Sequence, residues 1–218
     1  MTTLCRAILS AAVVIVGAIG CSKSPRIDSA DGSADAGAAA AHVILPESEV
    51  IRGASIYPLH ANLTDQRGAT ISLDVHRGSA VIVAMFYSSC PYACPTLISH
   101  IKQAEAALPE DVRKKTRVLL ISFDPENDTP EVIAGLPAKY KVDSNRWTFA
   151  RASEGDVRAI SAALGVKYRR DDGSFNHSSV ITLLNGAGEI ELRIGGLDDA
   201  TADVVHGLTE IVNKLSPN

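Results

Sequence analysis

From Ala80 to Tyr87 the chain reads AVIVAMFY, without a charge or a break. So short and continuous an apolar run, rich in β-branched residues, predicts a strand covered on both faces. Arg117–Phe123 (RVLLISF) predicts a second. Between them Leu97, Ile98, Ile101, Ala104 and Leu108 recur at helical spacing, and Pro95 suits the first turn of that helix. Upstream, the turn Asp65–Gln66–Arg67–Gly68 separates two alternating stretches and predicts a hairpin over Leu63–Leu73. Downstream, Thr129 and Pro130 open a helix towards Tyr140, Trp147–Ala150 is a short strand, and Ser153–Leu164 is a helix ended by Gly165. Val166–Arg169, Val180–Leu184 and Glu189–Ile194 supply the last strands, with turns at Asp172–Gly173 and Asn185–Gly188. Val204, Val205, Leu208, Ile211, Val212 and Leu215 share one side of a closing helix over Thr201–Leu215. This alternation of strand and helix implies an α/β domain over residues 51–218: a central mixed sheet, helices on both faces and an N-terminal β-hairpin.

The first 50 residues follow another logic. After Arg6, the apolar run Ala7–Gly17 is too short to span a bilayer and suits the core of a signal peptide, assigned to residues 1–20. It leads into Ala18–Ile19–Gly20–Cys21, which resembles the bacterial lipobox, with alanine where leucine is usual. Cys21 is therefore the expected lipid attachment point; an uncut anchor or an ordinary cleavage nearby are the alternatives. Each alternative places the domain outside the cytoplasm, facing the periplasm or cell exterior. Residues 21–50, dominated at first by Ser, Ala, Gly and Asp, form a flexible tether with an rms reach of about 25–30 Å.

The formal charge of -4 becomes one unit more negative without Met1–Gly20, whose only charged side chain is Arg6. A nucleic-acid partner is thereby disfavoured, since phosphate binding needs a basic face. Of four cysteines only Cys90 and Cys94 fall in the domain, which excludes a multi-bridge disulfide scaffold. A strand that delivers a cysteine pair to a helix N-terminus is the thioredoxin arrangement. The helix dipole and free N–H groups stabilise a thiolate there, and Cys94, just before Pro95, holds that position. Three residues separate the thiols, enough for both sulfurs to face one centre. Two thiolates suit Cu(I), and an imidazole completes a site that also tolerates Cu(II). His177, just before the strand Val180–Leu184, is the candidate third ligand. A structural disulfide between Cys90 and Cys94 and a surface role for His177 are the plainer readings of the same residues. His42, His60, His76, His100 and His206 have no partner at ligand spacing, and Trp147 reads as core.

Three blocks, Phe86–Pro95 (FYSSCPYACP), Asp124–Pro130 (DPENDTP) and Asn176–Ser179 (NHSS), resemble in order and spacing the Sco/SenC family of copper chaperones for cytochrome c oxidase. The resemblance covers roughly Ile56–Gly195. It implies a thioredoxin-like fold and one copper ion, Cu(I) or Cu(II), on Cys90, Cys94 and His177. It also implies delivery to the dinuclear copper site of oxidase subunit II or to another exported copper protein. Tyr92 and Ala93 fill the spacer where the family usually reads CPDxCP, so an acidic group near the metal is missing. Asp124 is a candidate for supporting the ligands; alternatively Asp124 and Asp128 fix their loop and cap its helix. Two other activities use the same cysteines: a thiol-disulfide oxidoreductase, with Cys90 and Cys94 as its redox pair keeping the oxidase copper site reduced, and a peroxidase-like enzyme.

Overall fold

The computed structural model describes residues 53–171, 174–196 and 198–215. A 3-10 turn at Tyr57–Leu59 leads into a hairpin of β1 (Asn62–Asp65) and β2 (Thr70–Ser72). Asp65 closes its turn by accepting the N–H groups of Arg67 (2.8 Å) and Ala69 (2.9 Å). Gly68 there takes φ +77°, a conformation that side chains with a Cβ resist. Next come β3 (Ala80–Phe86), α1 (Ala93–Ala107), α2 (Glu110–Lys114), β4 (Thr116–Ser122), α3 (Pro130–Tyr140) and β5 (Trp147–Ala152). The chain finishes with α4 (Glu154–Leu164), β6 (Tyr168–Asp171), β7 (Ser174–His177), β8 (Val180–Leu184), β9 (Ile190–Gly195) and α5 (Thr201–Leu215).

Seven strands form one mixed sheet in the order β2-β1-β5-β4-β3-β8-β9, and β6 and β7 form a separate two-stranded sheet. β3 runs parallel to β4 and antiparallel to β8, so it lies inside the sheet and all seven of its residues are buried. Successive side chains of a strand point to opposite faces. Phe86 stacks edge-on against Phe149, which in turn stacks on Tyr140 of α3, while its neighbour Met85 meets Ser161 of α4. Helices therefore cover both faces. α5 packs against α1 and lies on the sheet at Gly207, where a Cβ would stand 2.6 Å from Leu183 Cδ1 of β8.

The expected thioredoxin-like architecture and hairpin are present, with strand ends displaced by one or two residues. Two elements were not legible. α2 has five residues, too few to display a helical period, and only Phe175 is buried in β7. The signal segment, Cys21, the tether, His42 and the Asp172–Gly173 turn lie outside the described residues.

Candidate metal centre

β3 and α1 are joined by a six-residue loop, Tyr87–Tyr92, which carries Cys90. Cys94 is the second residue of α1 and fully buried, whereas Cys90 remains 8% exposed. The first turn of α1 has unpaired N–H groups, and the one at Cys94 donates to Cys90 Sγ at 3.2 Å. Burial raises the Cys90 thiol, but hydrogen bonds from the N–H groups of Cys94 and Tyr92 and from the side chains of Cys94 and Tyr87 outweigh it. The net effect holds Cys90 below the ordinary thiol range. Burial pushes Cys94 up, with only a partial offset from the Tyr87 backbone. This corrects the assignment made from sequence. The helix N-terminus activates Cys90 in the loop before it, and Cys94, inside the first turn, loses more by desolvation than it gains.

His177 reaches the cysteines from the far end of β7. Its Nε2 stands 3.9 Å from Cys94 Sγ, and its Nδ1 lies 3.2 Å from the Ser178 carbonyl oxygen. A carbonyl can only accept, so this hydrogen-bond network assigns the ring hydrogen to Nδ1 and leaves Nε2 facing the sulfur. One ligand atom from each of Cys90, Cys94 and His177 lies within 4.8 Å of the other two. No other such group of His, Cys, Asp or Glu occurs among the described residues. First-row ions take sulfur and imidazole nitrogen at about 2.3 and 2.0 Å, so two such donors on one ion stand at most about 4.3 Å apart. The 3.9 Å separation satisfies that limit. Two thiols and one imidazole, with no carboxylate, form a donor set that suits copper and leaves magnesium or calcium without the oxygen ligands they need.

Aromatic rings wall the site on one side. The His177 ring lies 4.9 Å from that of Phe123 and 5.8 Å, edge-on, from that of Tyr87, and Phe175 packs on both. The site opens into a cleft of about 410 Å³ that Cys90 and His177 line together with Tyr87, Pro91–Tyr92 and Ser174–Asn176. Tyr92, which fills the spacer, is 70% exposed at its rim.

The two loop aspartates have separate duties. Asp128 is buried and accepts the Ser88 N–H at 3.2 Å on both oxygens, together with a short bond from the Ser122 hydroxyl. It thus ties the cysteine loop to the end of β4. Helix α3 is capped instead by Thr129, which accepts the Val132 N–H. Asp124 is also buried, but its bonds go to Asn127 Nδ2 (2.8 Å) and Arg170 Nη2 (3.3 Å). Its carboxylate holds a residue of the hairpin and not a sulfur or imidazole ligand directly. Sequence reading missed Arg170 and the packing roles of Tyr87 and Phe123. Tyr168–Asp171 reads YRRD, in which no alternation of apolar and polar residues could have singled Arg170 out. Of the remaining histidines, His60 and His206 are exposed, His100 is half-buried, and half-buried His76 bonds Thr148 Oγ1 at 3.0 Å. Trp147 is fully buried, as expected, and its indole N–H donates to Glu105 at 2.8 Å.

Residues 56–213 match the SCO1/SenC family. The chain belongs to that family. A putative copper-binding protein of Stutzerimonas stutzeri is 26% identical over 137 residues, which span 61% of this chain and 66% of that protein. ScoI of Arabidopsis thaliana, solved with copper bound, superposes with TM-score 0.61 at 16% identity, covering 71% of this chain and 96% of that one. A SCO1/SenC family lipoprotein of Bacillus anthracis gives 0.62 at 17% identity, covering 73% and 99%. At such identities the superpositions establish the fold alone. The SCO1/SenC chain described here spans about two thirds of the Stutzerimonas protein's length.

Proposed function

We propose that this SCO1/SenC chain is an exported copper carrier, tethered to a membrane through Cys21. It holds one copper ion on Cys90, Cys94 and His177 and delivers it to the dinuclear copper site of cytochrome c oxidase subunit II or to another exported copper protein. The observation that carries the reading is the convergence of two thiols and one imidazole within 4.8 Å, from a loop, a helix and a separate hairpin. A structural disulfide needs no histidine at 3.9 Å from one sulfur. The copper named or bound in relatives and the lipoprotein of Bacillus anthracis support the same reading. Opening of the site into a cleft lined by Cys90 and His177 suits a cargo that must leave by ligand exchange with a partner.

Copper titration tests this directly. The reduced domain is expected to take up one copper per chain, and Cys90→Ser or Cys94→Ser to abolish tight Cu(I) binding, because a hydroxyl is a hard ligand. His177→Ala is expected to lose Cu(II) first and to retain more of its Cu(I) on the two thiols. Equal stoichiometry in the double serine variant would refute the assignment. Fractionation of a Cys21→Ser variant tests the tether: if the variant stays with membranes and is processed as before, lipid attachment at Cys21 is wrong.

A second reading rests on the unequal thiols. Cys90, activated and partly exposed, is arranged to attack a target disulfide, and buried Cys94 to displace the mixed disulfide so formed. The target is released reduced and a Cys90–Cys94 disulfide remains. Both roles use the same cysteines. Deleting the gene and assaying oxidase activity separates them: rescue by added copper supports delivery, and rescue by an added thiol reductant alone supports reduction.

A further inference from the structure

The placement of His177 is not explained by the main sheet, because β6 and β7 form a sheet of their own. Their register pairs Tyr168 with His177 and Arg170 with Phe175. Alternation then puts Tyr168, Arg170, Phe175 and His177 on one face of the hairpin and Arg169, Asp171, Ser174 and Asn176 on the other. The first face docks at the end of β4 through two adjacent residues. Phe123 meets the rings of Tyr168, Phe175 and His177, with centroids 5.4, 5.1 and 4.9 Å away. Asp124 receives Arg170 Nη2 at 3.3 Å, and the same nitrogen reaches Glu126 Oε2 at 2.9 Å. The Arg170 guanidinium also lies over the Phe175 ring, 4.9 Å from its centroid.

These two attachments differ physically. Ring contacts hold the hairpin against the sheet but tolerate sliding, since dispersion has little directionality. The charge-assisted bond to Asp124 is directional, and its acceptor is fixed by burial: the Asp124 side chain is only 3% exposed and its other oxygen is held by Asn127. Glu126 is 61% exposed and adds a weaker, screened contact. Tyr87 Oη also meets Ser174 Oγ of the hairpin, but at 3.4 Å and between neutral groups. Arg170 is thus the charge-assisted constraint on the hairpin's rotation, and with it on the distance from His177 Nε2 to the sulfurs.

We infer that Arg170, anchored on buried Asp124, is a positioning residue that locks the His177-bearing hairpin in register with the two thiols. The inference deepens the copper-carrier reading and rests on it for its metal-binding consequence, while its geometric part stands alone. Partners that orient metal ligands typically contribute 10–100-fold in metal affinity.

The test uses the full chain with Arg170→Gln, Arg170→Lys and Glu126→Gln. In copper-free protein, the His177 ring proton resonances are expected to move in Arg170→Gln, because Phe123 and Tyr87 shield that ring. Cu(II) affinity is expected to fall about tenfold, with the sulfur-to-copper absorption shifted and Cu(I) affinity changed far less. Arg170→Lys keeps the charge without the planar fork and is expected to give intermediate resonances and partial rescue. Glu126→Gln is expected to stay within about twofold of wild type, as an exposed partner should. His177 resonances and Cu(II) affinity unchanged in Arg170→Gln would overturn the inference, whatever its melting temperature. An effect of Glu126→Gln as large as that of Arg170→Gln would overturn the Asp124 anchor. Should the glutamine variant not fold, wild-type resonances in Arg170→Lys overturn the inference equally. Wild-type protein that takes up no copper, with displaced resonances still seen in Arg170→Gln, would sink the copper reading and support the positioning one.

Discussion

Asp128→Ala is the perturbation that best separates a tie on the cysteine loop from a helix cap. The carboxylate is 1% exposed and serves two donors, the Ser88 N–H at 3.2 Å and the Ser122 hydroxyl, itself on a fully buried residue. Each bond to a charged acceptor contributes about 1.5–3 kcal/mol. Truncation therefore costs about 3–5 kcal/mol once the relief of a buried charge is set against the loss. In a domain of this size a destabilisation of that order lowers the melting temperature by about 10 °C or more. Were Asp128 only a cap, removing it would cost about 1 kcal/mol, the loss expected instead of Thr129→Ala. Asp128→Asn keeps one acceptor oxygen for two donors and should fall between. The consequence for function sits two residues beyond Ser88, at Cys90. Alkylation of the native protein, followed by mass spectrometry, should show Cys94 modified at a measurable rate in Asp128→Ala and not in Thr129→Ala. Urea and thermal denaturation give the stability difference. A melting temperature for Asp128→Ala within about 2 °C of Thr129→Ala, with Cys94 still protected, would refute the tie.

Two further outcomes follow from titrating groups. In the reduced, copper-free protein Cys90 should be alkylated well before Cys94, and its rate should level off at lower pH than that of an ordinary thiol; equal rates would contradict the asymmetry. His76 should make the domain acid-sensitive. Burial, with a smaller contribution from nearby Arg117, lowers it from 6.5 to about 4. Below pH 6.5 the unfolded chain takes up a proton that the folded chain refuses until about pH 4, so stability falls as pH drops through that window. The full shift corresponds to about 3 kcal/mol, and partial exposure reduces it to about 1–2 kcal/mol. Urea denaturation at pH 7 and pH 4 should give His76→Gln a smaller pH dependence than wild type. An identical slope in the two proteins would rule His76 out.

The site was legible in the sequence to the extent that its chemistry is local. Cys90 and Cys94 announce themselves because strand, loop and helix follow one another without interruption, so the period of the apolar positions alone locates the loop at the head of α1. His177 was named from its place just before the strand Val180–Leu184 together with the resemblance of three separated blocks, not from any pattern in its own segment. Its strand has four residues with one buried, and no periodicity distinguishes such a strand from a loop. The balance between the two thiols was misassigned for a related reason. Dipole and free N–H groups can be read from position, but desolvation depends on which residues cover the sulfur, and Cys94 is covered completely only after the sheet and helices close over it. Arg170 lay further from view. Among charged residues at the end of a weak strand it reads as solvated surface, and nothing in its own segment identifies Asp124, 46 positions earlier, as its partner. The hydrogen-bonded frame follows from patterns that repeat every two or 3.6 residues. What brings the two thiols and the imidazole together within that frame is a set of contacts between segments with no common period: Asp128 to Ser88, Phe123 to His177, Asp124 to Arg170. Two of those three contacts start from the adjacent residues Phe123 and Asp124, directly after β4. That short segment therefore contacts the hairpin that carries His177 through both residues, and through Phe123 it also meets Tyr87 of the cysteine loop, which makes Asp124 the position whose substitution bears on the hairpin more than on the thiols.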